Sequence, residues 1–208
     1  MTKKRKINFK KISLIVVLLL VVVLIIIIIK NTSNKNPNNK KNEVTESITN
    51  FPYTLKENDT PLVKDLFSKL KEQLSQDQIN EEQYAKLVAQ LFVADFYTIN
   101  NKISNDDIGG IQFVHPDIRA NFILKAKDTI YKYVKNNIYG NRHQELPIVT
   151  NVKIENITKE NYQSKNHHDK NSYHLKMLIE YAKDLEYPTQ VEVALIHYEE
   201  KLYIIEVK

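Results

Sequence analysis

The stretch SYHLKMLIEY, Ser172–Tyr181, decides the fold. Tyr173, Leu175, Met177, Ile179 and Tyr181 take every second position and alternate with His174, Lys176 and Glu180. Successive side chains of a strand point to opposite faces, so this pattern predicts a strand with one face against a core. Downstream, Val191, Val193 and Leu195 repeat the period, and a tight turn at Glu199-Glu200-Lys201 leads to a last strand over Leu202–Val207. Upstream, Ile148, Val152 and Ile154 alternate with Asn151, Lys153 and Glu155, and the polar stretch Ser164–Asn171 reads as the hairpin loop between.

Before Pro147 the apolar period is helical. Thr60 is a good N-cap and Pro61 suits the first helical position, ahead of Leu62, Val63, Leu66, Phe67, Leu70 and Leu74. Asn80-Glu81-Glu82-Gln83 is a near capping box that opens a second helix, with Tyr84, Leu87, Val88, Leu91, Phe92, Phe96 and Ile99 on its apolar stripe. Ile111–Val114 is short and extended and reads as a brief strand. His115-Pro116-Asp117 starts a third helix, whose stripe Ile118, Phe122, Ala126, Ile130, Tyr133 and Val134 carries it to about Asn136. Segregated helices followed by a strand meander give the α+β class, three helices on one face of a curved antiparallel sheet.

The N-terminal part differs. Ile12–Ile29 is an unbroken run of Ile, Leu and Val interrupted only by Ser13. Eighteen residues of helix span roughly 27 Å, close to the hydrocarbon thickness of a bilayer. The run is longer than a signal-peptide core and lacks a small-residue cleavage site, so an uncleaved anchor in the lipid bilayer is expected. Six basic residues precede it, which places the N-terminus in the cytoplasm and the remainder outside the cell membrane. The expected organisation is a basic tail (1–11), a transmembrane helix (12–29), a flexible polar tether rich in Asn, Lys and Ser (30–58) and an extracytoplasmic α+β domain (59–208).

Charge and composition exclude several functions. The net charge of +5 averages two unlike parts: residues 1–41 hold ten of the 30 basic residues and no acidic one, so the remainder carries a net charge of −5. Its lysines are scattered and form no basic stripe, and no nucleic-acid partner is expected. With glycine only at Gly109, Gly110 and Gly140, no Gly-rich phosphate loop and no G-x-S-x-G elbow can be written. With no cysteine there is no disulfide, thiolate zinc site or cysteine nucleophile.

Asp95 is the residue of greatest chemical interest. It falls on the apolar stripe of the second helix, where a carboxylate is costly unless hydrogen-bonded. It either lines a pocket as a general acid or base, or caps a neighbouring loop or pairs with a cation such as Arg119. His167-His168-Asp169 invites a metal reading, but no third ligand stands at a helpful spacing and a solvated loop is expected. Asn105–Pro116 resembles a calcium loop until its twelfth position, which is Pro116 where a Glu is required. No cofactor or metal is expected. Tyrosines such as Tyr133, Tyr139, Tyr173, Tyr181, Tyr187, Tyr198 and Tyr203 either form a protein-binding face or simply suit half-buried strands.

The order helix, helix, short strand, helix and four antiparallel strands over Thr60–Lys208 resembles the nuclear-transport-factor-2-like superfamily, in which a curved sheet wraps around helices as a cone. With the basic tail, apolar run and tether added, the arrangement resembles the membrane-anchored scaffold subunits of bacterial conjugation and type IV secretion machines. That resemblance implies a single-pass membrane protein whose non-catalytic domain docks other cell-envelope proteins. The alternative, also within the superfamily, is a tethered small-molecule binder or acid–base enzyme with a cone pocket around Asp95. No family motif is present to transfer functional residues.

Overall fold

The computed structural model describes residues 43–208. Strand β1 (Val44–Ser47) pairs with β2 (Thr54–Lys56); helices α1 (Pro61–Leu74), α2 (Glu81–Tyr97) and α3 (Pro116–Asp128) follow. The chain then runs through β3 (Val149–Gln163), β4 (His168–Tyr181), β5 (Gln190–Tyr198) and β6 (Lys201–Val207). The fold is α+β, with the four long strands in the antiparallel order β3-β4-β5-β6 and β1-β2 as a separate ribbon.

The expected transmembrane helix is corrected. Residues 12–29 and the basic tail lie outside the described residues, and among the described residues no helix is long and apolar enough to cross a membrane. The physical reason is charge: Lys64, Asp65, Lys69 and Lys71 interrupt α1, Glu81, Glu82 and Lys86 open α2, and Arg119, Lys125 and Lys127 punctuate α3. Among the described residues the fold thus supplies no membrane-spanning helix.

Of the expected tether, residues 30–42 lie outside the described residues, and Glu43–Asn58 belongs to the folded domain. Tyr53, just before β2, is fully buried and stacks on Phe113 at 5.3 Å. Its hydroxyl donates to the Leu202 carbonyl at 2.9 Å, which leaves it to accept from Tyr84 at 2.6 Å. Gln112 fastens the same ribbon, accepting from the Thr54 amide at 2.8 Å and donating to the Thr54 carbonyl at 3.0 Å.

The helix starts follow the sequence reading. The Thr60 side chain accepts from the Val63 amide, and that of Asn80 accepts from the Gln83 amide. Helix α2 is buried on nearly all sides along Tyr84–Tyr97 and forms the centre of the core, with α1 on one flank and the sheet on the other. Two expectations fail nearby. Ile111–Phe113 is a turn of 3₁₀-helix entered through Gly110 at φ 72°, not a strand; only Val114 bridges to Ile204, in parallel. Helix α3 stops at Asp128, because Tyr131 turns inward to donate to the Phe96 carbonyl at 2.6 Å and accept from the Gly109 amide at 3.1 Å. Satisfying that buried phenol outweighs another helical turn, and Tyr133 is left exposed.

In the sheet, Tyr173, Leu175, Met177 and Ile179 of β4 all face the core, opposite Val191, Val193 and Leu195 of β5. Strands β3 and β4 are 15 and 14 residues long, so the hairpin turn is shorter than the Ser164–Asn171 loop expected. Register shifts at Ile154/Asn156 and Glu160/Tyr162 bend the hairpin. Tyr162 packs with Ile118 against Ala194, Ile196 and Ile205 on the second face of the sheet, bringing the hairpin tip beside the start of α3.

Candidate functional site

Asp95 is buried on α2, as the helical spacing indicated. Its partner is Lys102, not Arg119: the Lys102 ammonium, itself buried, pairs with Oδ1, and the Gly110 amide donates to Oδ2 at 2.7 Å. Burial pushes the carboxyl pKa up, but the Lys102 charge and hydrogen bond, with the Gly110 amide, hold it below the usual 3.8. The segment Lys102–Gly110 thereby folds onto α2, so closely that a Cβ on Gly109 would stand 2.1 Å from the Asp95 carbonyl oxygen. Arg119, on α3, donates to the Val114 carbonyl at 3.0 Å. The two residues singled out together in the sequence hold separate parts of the fold, and Asp95 acts here as a loop anchor.

Asp59 lies in the same electrostatic neighbourhood. Burial and the Asp95 charge raise its pKa, while its Oδ2 accepts from the Lys56 amide at 2.7 Å. The two carboxylates therefore differ in proton affinity, but each is held by backbone amides.

The main apolar concavity lies elsewhere. A cleft of about 570 Å³ runs between α3, the end of α2 and β6, walled by Phe96, Tyr97, Phe122, Ile130, Ile205 and Val207. On the α3 side its lining residues are Ile118, Asn121, Phe122, Lys125, Ala126, Thr129 and Ile130, a spacing of three and four that marks one helix face. Ten residues of helical rise from Ile118 to Asp128 make that face roughly 15 Å long, and Thr129 and Ile130 extend it past the helix end. Of the α3 side chains only Ala126 is fully buried; Ile118, Phe122 and Ile123 remain half-buried, and Leu124 is 61% exposed.

The triplet His167-His168-Asp169 is split three ways. His168 is exposed. Asp169 accepts from the His197 amide at 2.8 Å and lies 2.8 Å from His197 Nδ1, whose Nε2 is 2.9 Å from Glu81 Oε2. Burial raises the Asp169 pKa, and the amides of His197 and Asn171 with the His197 ring bring it below the usual carboxylate value. His197 thus ties β4 and β5 to the start of α2. His167 turns onto α3, where its ring meets that of His115 edge to face at 4.6 Å and its Nε2 lies 3.0 Å from Asp117 Oδ2. His115 was read only as a helix start; a meeting of residues 52 positions apart leaves no local signal.

Residues of the resembled calcium loop turn to separate partners, Asp106 to Lys127 and Asp107 to the Ile103 amide. The tyrosines share no single face: Tyr131, Tyr173 and Tyr203 are buried, Tyr181 pairs with Tyr187, and Tyr133 and Tyr139 project outward. No family model matches the chain, and no match is found among curated proteins or solved structures.

Proposed function

We propose that the domain is a non-catalytic docking module that receives the apolar face of an amphipathic helix from another protein in the cleft between α3 and β6. The observation that carries this reading is the one-sided apolar ladder of α3, set along an open cleft about three helical turns long. Ridges three and four residues apart suit a second helix laid against them. An elongated surface of this kind fits a ladder of side chains better than one compact small molecule. Lys125, in the lining, favours a partner helix with an acidic residue flanking its apolar stripe. Asp95, the acid of the alternative reading, is already matched by Lys102 and Gly110, which lowers the case for acid–base chemistry there. The cell-envelope proteins implied by the resemblance are the first partners to try.

The test is photo-cross-linking in the native cell from a benzophenone side chain at Asn121, with one at Glu180 as control. Docking gives an adduct specific to Asn121 whose cross-linked peptide has an apolar stripe at helical spacing. A synthetic copy of that peptide then binds the protein and loses affinity for Phe122→Glu. Adducts shared equally by both positions, or a peptide insensitive to Phe122→Glu, contradict the proposal.

A further inference from the structure

Beyond docking, we propose that His115, Asp117 and His167 form a binding site for one divalent transition cation of the zinc type. The three residues come from two segments, the N-terminus of α3 and the turn between β3 and β4. One donor atom from each lies within 4.8 Å of the other two, and His167 Nε2 and Asp117 Oδ2 are already 3.0 Å apart. Zinc bonds of about 2.0–2.1 Å in tetrahedral geometry place ligand atoms roughly 3.3 Å apart, so only a small closure is needed. Two neutral imidazoles and one carboxylate suit borderline cations, whereas calcium and magnesium select sets made of oxygen. Three protein ligands leave the fourth position to water.

A second observation points the same way. His115 is fully buried and its Nε2 has no hydrogen-bond partner, although buried polar atoms are nearly always satisfied. Its Nδ1 accepts only a long bond, 3.3 Å, from the Asp117 amide. Ligation through either ring nitrogen gives up that bond, since a cation on Nε2 places the ring proton on Nδ1. Through Nε2, the exchange satisfies the orphaned nitrogen and gives up only the weak cap. The rings of Tyr198 and Tyr203, 4.6 and 6.0 Å from that of His115, wall the site. Two features oppose a cation, the Arg119 guanidinium nearby and the positive end of the α3 dipole; the Asp117 carboxylate counters both. A bound cation joins the hairpin tip to α3 and so steadies one wall of the cleft.

The experiment uses the full chain without a histidine tag, stripped with a chelator and titrated with zinc by calorimetry and with cobalt by visible absorption. One equivalent binds, and cobalt shows the intense bands of four- or five-coordination. Asp117→Asn, at the surface, and His167→Gln, in the partly buried hairpin turn, each weaken zinc binding by about 100-fold or more, exceeding the effect of losing an outer-shell partner. His168→Gln and His174→Gln leave it unchanged. Equal affinity in Asp117→Asn and His167→Gln, an equal loss in His168→Gln, or a weak octahedral cobalt spectrum overturns the site.

Discussion

Asp95 and Lys102 form an ion pair inside the domain, seven residues apart in sequence and both shielded from water. Removing one member of a buried pair leaves the other charge uncompensated, whereas replacing both is often close to neutral. Asp95→Asn is therefore expected to lower stability by about 3–5 kcal/mol, and Asp95→Asn/Lys102→Met to recover most of the loss. The asparagine oxygen still accepts from Gly110 in both variants. Chemical denaturation of the four proteins in the cycle measures this; a single variant within about 1 kcal/mol of the parent shows that the pair is not shielded as described.

The pair also sets an acid dependence. The folded Asp95 carboxyl has a depressed pKa, so its contribution is present above the usual value of 3.8 and is lost as pH falls through the lower folded value. The stability difference between the parent and Asp95→Asn/Lys102→Met should shift against the parent across that acidic window and stay flat near neutrality. A difference that changes instead between pH 6 and 8 points to another group.

Tyr53 joins the β1–β2 ribbon to α2 and β6 through hydrogen bonds to Tyr84 and the Leu202 carbonyl. Tyr53→Phe leaves a buried carbonyl short of a donor and is expected to cost about 1–3 kcal/mol, read as a shift in denaturation midpoint at constant slope. Deleting residues 43–58 from the full chain removes the whole ribbon and should abolish the cooperative transition. An unchanged transition after that deletion would show the ribbon to be an accessory.

Much of this fold was legible because its signals are local. The alternation across Ser172–Tyr181, the Thr60 and Asn80 caps and Pro116 each declare an element within a few residues, and the burial of Asp95 follows from its place on a helical stripe. What was missed depends on distant partners. β1 and β2 are short and polar, and the docking of Tyr53 on Tyr84 and Leu202, with Gln112 on Thr54, orders them. Tyr131 ends α3 because Phe96 and Gly109 lie within reach of its hydroxyl, a fact no helical period contains. Lys102 follows the end of α2 among asparagines, where nothing marks it as the counter-charge of Asp95. The apolar stripe of α3 was visible, but its incomplete burial, which makes the cleft, depends on how β6 and α2 meet it.

Cross-linking scanned along α3 tests docking most directly. Benzophenone side chains at Asn121, Lys125 and Thr129 face the cleft, while those at Ala120, Leu124 and Asp128 lie outside its lining. Docking of a helix in the cleft predicts one protein partner captured strongly from the first three positions and weakly from the second three, a yield that rises and falls with the helical period. Equal yields at all six positions, or stronger capture from Ala120, Leu124 and Asp128, would contradict it.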